Sequence, residues 1–208
     1  MGKLFLSEGG EATCRTASRL EEALPDGYFI VCGPVIWGEA LDVVVVAFQG
    51  LFVLHVRGWQ GEIRPQARGA WREERASGET IKHTNPARAV RRAEKALKSF
   101  LKDEFPGRTP SIRHYLVLEA PEATLSVYGA TEPPAVKLEK LPARIVDAPP
   151  LGEDAEGTLE EVADREALAL ALRDKRLTAT QRASEPFVFR PPGFLGLGGE
   201  AHTIRQLV

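Results

Sequence analysis

Four consecutive valines, Val43 to Val46, follow a single aspartate and run through Ala47-Phe48 into a Gln49-Gly50 corner. β-Branched side chains fit a pleated, extended backbone. A run of them with no polar alternation implies a strand covered on both faces, hence one in the middle of a sheet. Beyond the corner, Leu51-Phe-Val-Leu-His-Val-Arg57 is a second β-rich run. Two such runs across a tight turn predict an antiparallel hairpin. Folding back at Gln49-Gly50 brings the outer ends together and sets Asp42 near His55 and Arg57. A hairpin buried on both faces also requires a layer on each side.

The flanking sequence supplies those layers. Ala17, Leu20 and Leu24 recur at helical spacing and Pro25-Asp-Gly stops the pattern, predicting a helix over about 9–24. Tyr28 to Trp37 reads as a strand broken at Gly33-Pro34, with a turn at Gly38-Glu39. Residues 58–84 are polar and predict one short strand around Glu62-Ile63, then a long loop holding Trp71. Thr84-Asn85-Pro86 is a helix start, a capping side chain before a proline at the first helical position. That helix extends to about Phe105 on a stripe of Val90, Ala93, Leu97, Phe100 and Leu101. Ser111–Leu118 and Thr124–Tyr128 predict further strands. Residues 131–150, punctuated by Pro133-Pro134, Pro142 and Pro149-Pro150, read as a linker. Residues 151–208 read as an extension with one amphipathic helix near 160–176 and a Gly-rich loop at 193–200. The expected organisation is an α/β domain over 1–130, the linker, and this small C-terminal helical appendage.

Charge narrows the function classes. Lys and Arg number 27 against 29 Asp and Glu, but from Arg57 to Arg113 there are 14 basic and 7 acidic residues, a local excess of seven positive charges. Arg88, Arg91, Arg92, Lys95 and Lys98 occupy much of the predicted helix outside its apolar stripe, a pattern suited to a polyanion such as nucleic acid or to a solvated face. Cys14 and Cys32 lack a CxxC partner and predict reduced core thiols. No run approaches the roughly 18 apolar residues of a membrane span, and the opening residues do not read as a secretory leader. A cytoplasmic protein without membrane contact is therefore expected. Trp59 and Trp71 are expected in core or loop-anchoring roles rather than stacked on bases, and His83 and His114 without ligand partners.

The stretch from Asp42 to Gly61 resembles, without a gap, the pattern of the nuclease-related domain (NERD) family: an Asp, a valine run, Gly, an apolar run, Glu-Val-Lys, then Asn-Trp-x-Gly. Gly10-Glu11 is similar to the family's leading Gly-Glu, and Trp71 and Asn85-Pro86 fall where the family has an isolated Trp and an Asn-Pro helix start. The resemblance implies a PD-(D/E)XK, restriction-endonuclease-like mixed sheet with flanking helices. It also implies a catalytic set of Glu, Asp, Glu-x-Lys and Gln around Mg²⁺ or Mn²⁺, which would polarise a phosphate and activate water. In this sequence those positions are Glu11, Asp42, His55, Arg57 and Ala89. Metal ligands, if used, would be Asp42 and His55, yet imidazole suits a hard cation poorly and Arg57 stays protonated and cannot act as a base.

Three readings follow. One is a nuclease fold that has lost cleavage and binds DNA, rather than RNA, or a DNA-processing partner. The second is an active, divergent metal-dependent DNase built on Glu11, Asp42 and His55. The third is an interaction module without nucleic acid, in which Asp42 and Arg57 form a salt bridge across the hairpin. The resemblance further implies helicase, kinase or ATPase parts as partners.

Overall fold

The valine run is the third strand of a six-stranded mixed sheet. The computed structural model describes residues 1–6, 9–66, 69–126, 131–150 and 158–184, with backbone alone at Leu6 and over 175–184. Its strands are β1 (Lys3–Leu6), β2 (Phe29–Cys32), β3 (Val35–Ile36), β4 (Glu39–Ala40), β5 (Val43–Ala47), β6 (Gly50–Arg57), β7 (Glu62–Arg64), β8 (Trp71–Glu74), β9 (Thr80–His83), β10 (Ile112–Leu118), β11 (Thr124–Leu125) and β12 (Ala135–Lys137). The helices are α1 (Glu11–Ala23), α2 (Ala87–Glu104), α3 (Leu141–Val146) and α4 (Val162–Ser184).

The main sheet runs β1-β2-β5-β6-β10-β12. β5 and β6 form the expected hairpin, with its turn at Phe48-Gln49 instead of Gln49-Gly50: Val43 is opposite Leu54 and Ala47 opposite Gly50, which already belongs to the strand. β6 pairs in parallel with β10, as does β10 with β12. All four valines are fully buried, each worth roughly 1.5–3 kcal/mol relative to exposure. Strand alternation divides them. Val44, Val46, Leu51 and Val53 pack under α2 and α4, against Leu97, Phe100, Leu168 and Leu172. Val43, Val45, Phe52, Leu54 and Val56 pack under α1 and α3, against Leu20, Leu24, Leu141 and Ile145.

The α2 start is built as its sequence predicts: Asn85 Oδ1 accepts the Ala87 N–H at 2.9 Å, after which the helix proceeds. Cys14 and Cys32 are free thiols, with sulfurs 4.0 Å apart where α1 crosses β2.

Several expectations are corrected. Residues 131–150 are not a linker. Pro134 O accepts the Leu116 N–H at 2.9 Å, β12 continues that pairing, and α3 buries Leu141 and Ile145. The prolines are tolerated because Pro133-Pro134 precede the edge strand and Pro142 lies in the first turn of α3, where no helical N–H bond is lost. Trp71 opens a strand rather than sitting in a loop. β7, β8 and β9, with β11, make a second, four-stranded sheet. Its alternation is hidden in sequence because one inward residue is charged. Trp71 and Glu73 point inward, and the Glu73 carboxylate is met by Arg75 Nε at 2.8 Å, His83 Nε2 at 2.6 Å and the Gln60 N–H at 3.2 Å. Burial raises the Glu73 pKa, but these three partners outweigh it and hold the group below the usual carboxylate range. The N-terminal strand β1, parallel to β2, had no clear signal in the sequence.

The expected C-terminal helix is present as α4 and lies on the sheet. Leu159 N–H bonds to Phe48 O at 2.8 Å, and buried Arg165 bonds to Gly27 O at 3.0 Å and Glu160 O at 2.9 Å. The Gly-rich loop expected at 193–200 lies outside the described residues. No helix among the described residues is long and apolar enough to cross a membrane.

Candidate functional site

Asp42 ends the loop that enters β5, and the hairpin register, with Val43 opposite Leu54, sets it beside His55. The antiparallel ladder stops at that pair, so the next inward-facing amide of β6, on Val56, has no backbone partner on β5. Asp42 supplies one. Its Oδ2 accepts the Val56 N–H at 2.9 Å and, at the same distance, Nη1 of Arg57. The same Nη1 donates to Val56 O at 2.6 Å. The carboxylate therefore extends the ladder by one bond while neutralising the guanidinium. Asp42 and Arg57 are 32% and 29% exposed.

His55 lies on the α2–α4 face with Leu51 and Val53, as strand alternation requires. It is 4% exposed. Its Nε2 sits 3.2 Å from Nδ1 of His114, and the rings stack at 5.5 Å between centroids and 17° between planes. Burial drives the His55 pKa down to about 3, with help from His114 and Arg57. The ring is neutral at ordinary pH, and the histidines share one hydrogen between them. Burial also lowers His114, while Glu94 and Lys98 of α2 act on it in opposite directions. Sequence reasoning missed this pairing. Parallel strand pairing brings together residues 59 apart, and no local pattern announces it.

Glu11 does not join this group. It is the first residue of α1, whose apolar side packs on the opposite face of the sheet. Its side chain is 87% exposed and ion-paired with Arg15, which also holds Glu119 at 2.7 Å. Arg88, Arg91, Arg92, Lys95 and Lys98 are all exposed on α2. Arg92 pairs with Glu39 at 3.1 Å and Lys98 with Glu94 at 2.6 Å. Trp59 and Trp71 are buried together, their rings 5.9 Å apart, and Trp59 stacks on His83 at 4.3 Å.

A hard divalent cation takes several oxygen ligands at close range. Here one Asp42 oxygen is shared between an amide and a guanidinium, His55 is turned to His114, and Glu11 is paired elsewhere. A fixed positive charge 2.9 Å from the carboxylate opposes a second cation at the same place. As arranged, these residues do not fit Mg²⁺ or Mn²⁺. Among the described residues, no group of three or more His, Cys, Asp or Glu side chains is placed to hold a metal ion.

The profile of the nuclease-related domain (NERD) family matches residues 8–118, more than half of the chain. Comparison with curated proteins and with solved structures gave no match. The matched span holds α1, β2, the β5–β6 hairpin, α2 and β10, which are four of the main sheet's six strands and one helix on each of its faces, and the chain therefore belongs to the NERD family and, through it, to the PD-(D/E)XK class of nuclease-like folds.

Proposed function

We propose that this protein is a nuclease-fold module that holds nucleic acid, DNA rather than RNA, and does not cut it. The observation that carries this reading is the Asp42 carboxylate, whose Oδ2 is bonded to the Val56 N–H and to Arg57, so that a fixed cation sits where a catalytic metal would have to approach. A guanidinium is not a general base, so Arg57 does not replace the family's lysine in activating a water. Binding is supported by the exposed cations of α2, the helix covering the face that bears Asp42, His55 and Arg57. A helicase, kinase or ATPase partner of the kind associated with the family would supply the chemistry that this module lacks.

The test is a titration of labelled duplex DNA at several salt concentrations, beside a cleavage assay in Mg²⁺ and Mn²⁺. Neutralising about three phosphates gives a log–log salt slope near −3. Replacing Arg88, Arg91 and Lys95 with alanine should flatten that slope, with no cutting in either metal. Efficient metal-dependent cutting lost in Asp42→Ala would overturn the reading in favour of a divergent DNase. Absence of salt-dependent binding would overturn it in favour of an interaction module without nucleic acid.

A further inference from the structure

Trp37 sits at the tip of the β3–β4 hairpin, paired with Gly38 in a two-residue turn. Both residues have positive φ, 52° and 79°. Such turns are ordinarily built from Asn, Asp and Gly, because a bulky side chain on a left-handed backbone is strained. The preceding residue, Ile36, is fully buried and anchors the hairpin, whereas the Trp37 side chain is 61% exposed. The strand thus has its apolar anchor already. The large aromatic side chain occupies a backbone conformation that disfavours it and stays largely exposed.

The tip has a fixed position relative to the basic helix. α2 packs against β3 and β4, and Arg92 Nε bonds to both Glu39 carboxylate oxygens at 3.1 Å. Two residues of chain span at most about 7 Å, so the turn that carries Trp37 is held close to this anchor. Exposed Arg88, Arg91 and Lys95 lie within a turn of Arg92 on the same helix. An exposed π surface on a hairpin packed against a cationic helix suits a strand whose phosphates follow the charges and whose unstacked base lies on the ring. A continuous duplex does not offer a base face, so the surface favours single-stranded nucleic acid.

We propose that Trp37 is a base-stacking platform for single-stranded DNA, working beside the cationic face of α2. The proposal rests on the nucleic-acid reading above and narrows its substrate. The test uses the full chain with a short labelled oligothymidylate and a duplex of similar length. Trp37→Ala should weaken oligothymidylate binding about tenfold and leave duplex binding unchanged, and Trp37→Phe should retain most of the affinity. Trp37→Asn, which suits the turn better, should melt no lower than the parent while losing single-strand affinity to the same degree. Alanine at Arg88, Arg91 and Lys95 should weaken both ligands.

Unchanged oligothymidylate binding in Trp37→Ala, with the triple alanine variant weakened, would overturn the stacking role and leave the nucleic-acid reading standing. Failure of the parent to bind either ligand would remove both. A lower melting temperature in Trp37→Asn would assign the indole to the fold or to a protein contact, and also overturns the proposal.

Discussion

The Asp42–Arg57 pair is the point at which structure and function separate, and a double-mutant cycle measures it. At 2.9 Å, with both side chains about one-third exposed, the pair lies between two regimes. Exposed ion pairs are worth roughly 0.2–1 kcal/mol, while breaking a buried pair costs roughly 3–5 kcal/mol. Arg57→Ala leaves Asp42 its bond to the Val56 amide and access to water, so its cost should be about 1–2 kcal/mol. Asp42→Ala removes the ion pair and also strands the Val56 N–H, so about 2–3 kcal/mol is expected. The double variant should cost little more than Asp42→Ala alone, giving a coupling energy of about 1 kcal/mol. Urea unfolding at neutral pH and low salt, with an unchanged m-value, reads these differences, and for a chain of this size 1 kcal/mol is also about 2–4 °C in Tm. Two results would refute the reasoning. Additivity within about 0.3 kcal/mol would mean that the pair is not formed. A rise in stability on Asp42→Ala would mean that the carboxylate is held at a cost, as in a working metal centre.

Two further outcomes follow from the same geometry. The unfolded chain takes up a proton at His55 near pH 6.5 and the folded chain near pH 3. Stability from this residue is therefore complete above pH 6.5 and falls by roughly 1 kcal/mol per pH unit below it, until the folded ring titrates; His55→Gln should flatten the acid limb of stability against pH, and an unaltered limb would show that the ring is not buried neutral. Gly50 has φ +119°, and a Cβ there would collide with the carbonyl oxygen and Oγ of Ser111, so Gly50→Ala should cost about 3 kcal/mol in chemical denaturation, and a neutral result would mean that the hairpin corner is open.

Whatever rests on neighbours in the chain was legible in the residues alone. The unbroken valines required a strand covered on both sides and predicted the hairpin that brings Asp42 to His55 and Arg57, although the turn residues are Phe48 and Gln49 rather than Gln49 and Gly50. Asn85-Pro86 marked where α2 begins. Departure from the Glu-x-Lys pattern at His55 and Arg57 was equally plain. These features are legible because turn geometry and side-chain periodicity act over a few residues.

Tertiary structure decided the rest, for reasons of distance and compensation. Nothing near His55 in sequence foretells His114 at 3.2 Å, because a parallel pairing of β6 with β10 is needed to bring them together. Glu73 masks the alternation of β8, since its burial is tolerated only once Arg75, His83 and the Gln60 amide surround it. The proline-rich segment after residue 130 becomes β12 and α3 because the edge of β10 offers unpaired backbone groups to a neighbour, a demand that propensity along the chain does not record.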